Sequence, residues 1–427
     1  MEFYIETYGC AANKSDSEII AGILSRNGLV RVNSPKYANL IIINTCVVKG
    51  PTINKILHRT RKLIEKFPTK KFLIAGCMPE AYPELIKKNF PRASMISTNR
   101  IVEIGNAVRK IFKGKRIEIL GKLKKEKVCL PKLRENKIID IVQICSGCLG
   151  NCSYCATKLA KGNLISFSPE KIVKEIKMAK SNGAKEFWLT GQDISCYGFD
   201  IEFSLPKLLE KILCEVEGKY FIRLGMLNPK HLEKIINQLL EVCTDNRIFK
   251  FFHIPVQSGS NKILTEMNRS YSVEVFEGII NKIRKKFPMA TIWTDIIVGY
   301  PKENDKDFNE TLNLIKKIKP DWVNVSKFYL MNKTNVKEFP KTEIAKERSR
   351  IASEFVKKIA IEKIKKWDGW EGEVLVDNFF RKKLIGRNFT YRAIHLPFSK
   401  NLIGKFLKVK ARVEGLKIVG NCLKDKQ

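Results

Sequence analysis

Cys148-Leu149-Gly150-Asn151-Cys152-Ser153-Tyr154-Cys155 is a C-x3-C-x2-C run, and it directly follows the apolar segment Ile138–Ile144, which reads as a strand. With 12 cysteines in 427 residues, that spacing arises by chance in about one such chain per hundred. Three thiols on one short loop can hold three corners of a 4Fe–4S cluster and leave the fourth iron open. Zinc sites favour four protein ligands and paired C-x2-C spacing. Cys145, just upstream, keeps a four-cysteine zinc site open as the alternative.

Outward from this loop, strand and helix alternate. Strands are predicted near Ile138–Ile144, Glu186–Leu189, Tyr220–Leu224, Phe249–Ile254, Thr291–Val298 and Trp322–Val325, with helices between them. Ser168-Pro169-Glu170 starts one helix with an N-cap and proline at the first helical position. Six such units predict a partial (β/α)6 barrel over 138–367, closed by a long helix at Glu343–Trp367. Upstream, residues 1–112 read as an open parallel α/β sheet with strands Phe3–Thr7, Leu40–Asn44 and Lys71–Ala75. Ser15-Asp16-Ser17-Glu18 reads as a capping box opening a helix whose Ile19, Ile20, Ile23 and Leu24 share a face.

Cys10, Cys46 and Cys77 are 36 and 31 residues apart, and each follows the end of one of those three strands. The carboxyl ends of parallel strands open on one crevice, so three thiols there can hold a second cluster. Three buried structural cysteines are the alternative. The segment 113–137 reads as a basic interdomain linker, either solvated or facing an RNA. Residues 368–427 carry short strands separated by glycine and basic turns, which predicts a small antiparallel OB-like barrel.

Charge narrows the partner. Lys+Arg number 79 against 44 Asp+Glu, a net charge of +35, which favours a polyanion such as nucleic acid. At 44% apolar residues the chain can bury ordinary cores, which excludes the disordered class. No apolar run is long enough to span a membrane. The acidic Met1–Glu6 start does not resemble a signal peptide. A cytoplasmic setting with reduced thiols is expected. In the last 60 residues Arg381, Lys382, Lys383, Arg387, Lys408, Lys410 and Arg412 alternate with Phe379, Phe380, Phe389, Tyr391 and Phe406. Basic groups for phosphates with rings for base stacking suit RNA, and a solvated basic face over an aromatic core is the alternative.

Taken together these stretches resemble the radical S-adenosylmethionine (SAM) methylthiotransferases along essentially the whole chain. The resemblance rests on Thr7-Tyr8-Gly9-Cys10 with Asn13, Asn44-Thr45-Cys46, Ala75-Gly76-Cys77-Met78-Pro79 and the Cys148–Cys155 loop. Downstream it rests on Leu189–Asp193, Arg223–Met226, His253–Ser260, Met267-Asn268-Arg269 and Thr294–Pro301. It implies a three-cysteine N-terminal domain, a radical SAM barrel and a C-terminal TRAM domain. It also implies two 4Fe–4S clusters, on Cys148, Cys152 and Cys155 and on Cys10, Cys46 and Cys77, and two SAM consumed per product. Tyr154, Gly191, Gln192, Arg223, Gln257, Ser258, Asp295 and Gly299 are then the candidates to bind SAM. The chain departs from the family's Arg-Pro-Gly-Thr stretch at Tyr329–Thr334; Lys333 or Arg223 as the substitute cation, or absence of that contact, are the alternatives. His253 reads as a hydrogen-bonded core residue.

Within the family, Cys46-Val47-Val48-Lys49-Gly50-Pro51 and Thr157–Leu164 resemble the archaeal and eukaryotic branch that acts on N6-threonylcarbamoyladenosine in tRNA. Isopentenyladenosine in tRNA and a ribosomal-protein aspartate are the other acceptors, and a non-catalytic zinc-containing RNA-binding protein is the alternative of another class. The expected partners are the anticodon loop of ANN-decoding tRNA and a low-potential electron donor; a monomer with no membrane association is expected. Lys158 and Lys161, beside the cluster loop, are the candidate contacts to the acceptor's carboxylate.

Overall fold

The computed structural model describes residues 1–123, 125–331, 334–336, 338 and 342–423. Six parallel strands form the first sheet: β1 (Glu2–Thr7), β2 (Val30–Arg31), β3 (Leu40–Thr45), β4 (Lys71–Gly76), β5 (Ser94–Ser97) and β6 (Glu118–Ile119). Their order is β2-β1-β3-β4-β5-β6, so the chain starts in the interior and winds outward both ways. β3 is buried at every position, as a strand covered by helices on both faces must be.

The helix after β1 starts earlier than the capping box implies. It spans Ala11–Arg26 with Cys10 in the extended N-cap position, so Ser15 to Glu18 lie in its second turn. Their side chains are turned inward instead of capping. Ser17 Oγ meets Thr7 Oγ1 and Asn44 Nδ2, and Ser15 Oγ donates to the Ile141 carbonyl at 2.9 Å.

The central region contains β7 (Ile139–Gln143), a short hairpin of β8 (Cys145–Ser146) and β9 (Ile165–Ser166), then β10 (Glu186–Thr190), β11 (Phe221–Leu224), β12 (Phe251–His253), β13 (Thr291–Val298) and β14 (Trp322–Lys327). Two parallel sheets, β7-β10-β11 and β12-β13-β14, are joined by single parallel bridges at Ile222–Ile248 and Met226–His253. One core cluster, which includes Val142, Leu189, Leu224, Phe252 and Ile292, runs through both halves. The helix Thr342–Ile364 packs against β14.

The segment read as a linker is a packed connection. Its β6 completes the first sheet, and the Pro131–Lys132 backbone lies so close to Gly22 that a Cβ there would be 2.3 Å from the Pro131 carbonyl oxygen. Lys127 and Lys132 are buried in ion pairs with Asp16, and with Asp140 and Glu175, which removes them from any RNA-facing strip.

At the C-terminus β15 (Glu371–Phe380), β16 (Lys383–Arg387), β17 (Ala393–Leu396), β18 (Phe406–Glu414) and β19 (Lys417–Cys422) bond in a closed ring, β15-β16-β17-β19-β18. The β17–β19 pairing is parallel, so the ring is not purely antiparallel. It sits on the amino-terminal ends of the central strands: Lys250 N donates to the Phe389 carbonyl, and Phe406 packs on Phe221. The cysteine loop lies at the opposite, carboxyl ends. No helix among the described residues is long and apolar enough to cross a membrane.

Candidate functional site

The loop after β8 is fixed by its backbone and neighbours. Cys148 N donates to the Gly162 carbonyl at 3.2 Å, Cys155 N to Cys152 O at 3.1 Å, and Ser153 N to Met267 O at 3.1 Å. Asn268 Nδ2 donates to Asn151 O at 2.7 Å. The Gly150 N–H points at Cys148 Sγ at 3.2 Å, and a Cβ on Gly150 would lie 3.3 Å from that sulfur and 3.9 Å from Cys152 Sγ. Three thiols thus converge on one loop. Burial, then the nearby Asp193 carboxylate, pushes the Cys148 thiol up to about 12, and burial raises Cys155 as well. Thiols so placed are neutral until a metal displaces their protons. The donor set fits an iron–sulfur cluster. Cys145 does not join it: the thiol is buried beneath Gly191, where a Cβ would lie 2.5 Å from its sulfur.

Arg269 is the residue at this loop that sequence reasoning missed. Its guanidinium donates to Cys152 Sγ at 3.4 Å, to Pro255 O at 3.1 Å, to Asn228 Oδ1 at 3.5 Å and to Tyr271 Oη at 3.0 Å. It ties the cluster loop to the turns after β11 and β12. The signal was its place in the family-like stretch Met267-Asn268-Arg269.

Cys10, Cys46 and Cys77 also converge. The thiols of Cys10 and Cys77 both face Asn13 Oδ1 at 3.8 Å, while Asn13 Nδ2 is held by the carbonyls of Tyr8 and Thr45. At Gly9, with φ +117°, a Cβ would lie 2.7 Å from Cys46 Cβ, so glycine is what lets the Cys10 turn close over Cys46. Burial raises the Cys46 thiol and pushes Cys77 up to about 12. Three thiols round a cradle that excludes a Cβ fit a second cluster.

The two thiol sets are neighbours. The helix that begins after Cys155, Ala156–Lys161, packs on the helix that begins at Cys77, Cys77–Ala81, through Ala156, Ala160, Met78 and Ala81. Lys161 is buried, not RNA-facing. Its ammonium bonds Thr98 Oγ1 at 2.6 Å and lies 3.6 Å from Asp16 Oδ2. Burial opposes its charge, but Asp16 and then the Cys77 and Cys10 thiols outweigh that and hold it above the usual lysine range. Lys158 is half-buried, with its ammonium on the Cys148 carbonyl.

The candidate SAM residues separate. Gln192 Oε1 accepts from Gly147 N at 2.7 Å, which places it and Gly191 beside the cluster loop. Tyr154 lies edge-on to Tyr300, 6.5 Å between centroids. Asp295 accepts from Asn324 at 2.6 Å and pairs with His253 at 2.8 Å. Burial opposes its ionisation, but those partners and Lys49 keep its carboxyl below the usual range. Gln257 has φ +75° and bridges to Ile296 of β13.

Three of the candidates face elsewhere. Ser258 is fully buried against Thr311. Gly299 is required by the helix behind it, because a Cβ would lie 2.3 Å from Ala345 Cβ. Arg223 stacks at 5.0 Å on each of Trp188, Phe251 and Tyr391, turned toward the C-terminal ring and away from the cysteine loop. Lys333 lies outside the described residues.

On the ring, Arg381, Lys382, Lys383, Lys408, Lys410 and Arg412 are exposed, Lys410 pairing with Glu371. Arg387 is not available: it pairs with Asp377 at 3.1 Å and covers Tyr391 at 4.5 Å, which is itself buried. Phe379, Phe380 and Phe398 are the exposed rings, with Arg381 over Phe380 at 5.1 Å.

Comparison with known proteins agrees with this geometry. An uncharacterized protein family, UPF0004, matches residues 2–98, and the radical SAM superfamily matches residues 142–315. The radical SAM methyltransferase TsrM from Kitasatospora setae, solved with cobalamin and a 4Fe–4S cluster, shares the fold: TM-score 0.58 at 11% identity, over 87% of this chain and 76% of that one. The central region is thus of the radical SAM class. "Probable threonylcarbamoyladenosine tRNA methylthiotransferase" of Pyrococcus abyssi is 39% identical over 94% of this chain and 95% of its own length. The human threonylcarbamoyladenosine tRNA methylthiotransferase is 32% identical over 96% of this chain and 71% of its own. The chain belongs to the threonylcarbamoyladenosine tRNA methylthiotransferase family.

Proposed function

We propose that this protein is a tRNA methylthiotransferase that converts N6-threonylcarbamoyladenosine at position 37 to its 2-methylthio derivative, consuming two SAM per product. The observation that carries this reading is the juxtaposition of two separate cysteine triads across two packed helices. A lone zinc knuckle does not need a second triad. Replacing an aromatic C–H requires removal of an unactivated hydrogen, which no acid–base side chain can do. A 4Fe–4S cluster with SAM, when bound at Cys148, Cys152 and Cys155, supplies the radical for that removal; the second triad is read as the site that presents sulfur.

The chain's own residues then have defined work. Arg269 holds the Cys152 side of the loop in register with the turns after β11 and β12. Gln192 pins Gly147 at the other end of the loop. The Asp295–His253–Asn324 set offers a fixed polar group at the barrel mouth. With Lys158 and Lys161 committed to the protein, Lys49, exposed at the start of helix Gly50–Lys66 and close enough to act on Asp295, is the cation for the acceptor's carboxylate. In a partly dehydrated site an unpaired carboxylate is costly, so such a cation favours threonylcarbamoyl over isopentenyl.

The units 1–112, 113–137, 138–367 and 368–427 are the domains of this reading, the last an RNA-binding TRAM-type ring whose exposed phenylalanines and basic groups meet tRNA. The enzyme is read as a cytoplasmic monomer served by a low-potential electron donor. Full-length enzyme with Cys148, Cys152 and Cys155 all changed to Ala should keep roughly half the iron and lose SAM cleavage. The Cys10, Cys46 and Cys77 triple variant should still release 5′-deoxyadenosine and thiolate nothing. Full iron content in the N-terminal triple variant contradicts the second cluster.

A further inference from the structure

Asp16, Lys127 and Lys161 form one buried charge cluster. Asp16 Oδ1 accepts from Lys127 Nζ at 2.7 Å and from Gln143 Nε2 at 2.7 Å; Oδ2 accepts from Thr98 Oγ1 at 2.8 Å and faces Lys161 Nζ at 3.6 Å. All five residues are at most 3% exposed. Two ammonium groups against one carboxylate leave an excess positive charge away from water, which is expensive unless an anion lies beside it. Lys127 is held closely by Asp16, whereas Lys161 stands off at 3.6 Å. Lys161 Nζ also donates to Thr98 Oγ1 at 2.6 Å, one residue past Ser97, which pairs with Gly76, the residue before Cys77. The ammonium therefore sits beside the three-cysteine site, whose thiols become anionic when a metal displaces their protons. Lys161 also belongs to the wrong domain for a local packing role. It ends the helix that leaves Cys155, and that helix rests on the one that begins at Cys77.

We propose that Lys161 is a positioning residue of the three-cysteine site: its buried ammonium, delivered by the helix leaving the other cysteine loop, is the counter-charge to the anionic, thiolate-held group there and raises that group's reduction potential. This rests on the reading that Cys10, Cys46 and Cys77 hold a cluster. Adding one electron there adds one negative charge, which a fixed neighbouring cation favours. The low-dielectric surroundings keep the effect from being screened by salt.

The test uses full-length protein carrying Cys148→Ala, Cys152→Ala and Cys155→Ala, reconstituted anaerobically with iron and sulfide, so that one cluster remains. Dithionite titration with redox mediators, followed by electron paramagnetic resonance, gives its midpoint potential. Lys161→Met should lower the reduced-to-oxidised ratio at fixed ambient potential by about tenfold, about 59 mV for one electron. Lys161→Arg should hold the parent value. Lys161→Gln, which can keep the bond to Thr98, should shift as Met does and serves if the Met variant fails to fold. An unchanged potential in the neutral variants, or a shift that Arg fails to prevent, overturns the proposal. Absence of iron from the parent protein refutes the underlying cluster reading instead, and is seen before any potential is measured.

Discussion

Asp16→Asn is the substitution that most directly probes how the two cysteine regions are held together. The carboxylate has no exposed surface and collects bonds from Lys127, Gln143 and Thr98 while facing Lys161. Asparagine keeps its shape but removes the one negative charge between two buried ammonium groups. Breaking a buried ion pair by removing one partner costs about 3–5 kcal/mol. The lower end applies, because burial already pulls Lys127 down to about 8 and it can shed its proton when Asp16 is neutral. A loss of about 3 kcal/mol at a urea slope of about 2 kcal/mol/M moves the midpoint down by about 1.5 M. The assay is urea unfolding followed by far-ultraviolet circular dichroism, since all five tryptophans lie outside the first domain. Adding Lys127→Met should recover at least about 1 kcal/mol, a coupling expected of contacting residues. Burial opposes the ionised form of Asp16, but the lysines and Gln143 leave its pKa below the ordinary 3.8. Its stabilisation is therefore present above that value and lost as pH falls through the lower folded value. Asp16→Asn should lack this acid-dependent loss. A midpoint within about 0.3 M of the parent, or strictly additive effects of the two substitutions, refutes the reasoning.

Two further outcomes follow from the same geometry. Burial pushes Glu18 up to about 7, and its Oε2 has no hydrogen-bond partner among the described residues while Oε1 accepts from Glu135 N. A carboxyl with a raised folded pKa stabilises fully below the ordinary 4.5 and loses that contribution as pH rises to about 7. Glu18→Gln should therefore match the parent near pH 4 and exceed it at pH 8 by up to about 3 kcal/mol, measured by denaturant unfolding at both values. On the ring, Phe380→Ala with Arg381→Ser and Lys382→Ser should weaken tRNA binding and leave SAM cleavage without tRNA intact. The slope of log K against log salt should fall by about 0.7–0.9 for each phosphate that is no longer neutralised.

The placement of the cysteines was legible because it is carried by residue type and position: a tight C-x3-C-x2-C loop, and three thiols each just past a strand end. The parallel strands were legible because β3, β4 and β13 are rich in β-branched and other apolar residues. Polar residues were the harder part. Ser15-Asp16-Ser17-Glu18 has the spacing of a helix cap, yet it lies inside the helix because its partners are Thr7, Asn44, Lys127 and Ile141, far off in the chain. Lys161, Lys127 and Arg387 look like surface charge in the sequence for the same reason: a lysine or arginine is placed in the interior by a distant carboxylate, here Asp16 or Asp377, that local sequence does not reveal. Arg223 sits among aromatic side chains drawn from β10, β12 and the C-terminal ring, an arrangement with no local signature.

Mass spectrometry of nucleosides after reaction tests the central claim most directly. Reduced, reconstituted enzyme with SAM and a sulfide source is incubated with tRNA carrying N6-threonylcarbamoyladenosine, with the same tRNA lacking the group, and with isopentenylated tRNA. The expected product is 2-methylthio-N6-threonylcarbamoyladenosine from the first substrate alone, with 5′-deoxyadenosine formed alongside it. Equal turnover of isopentenylated tRNA contradicts the substrate assignment, and unmodified nucleoside in all three, despite full iron content and SAM cleavage, contradicts the reaction itself.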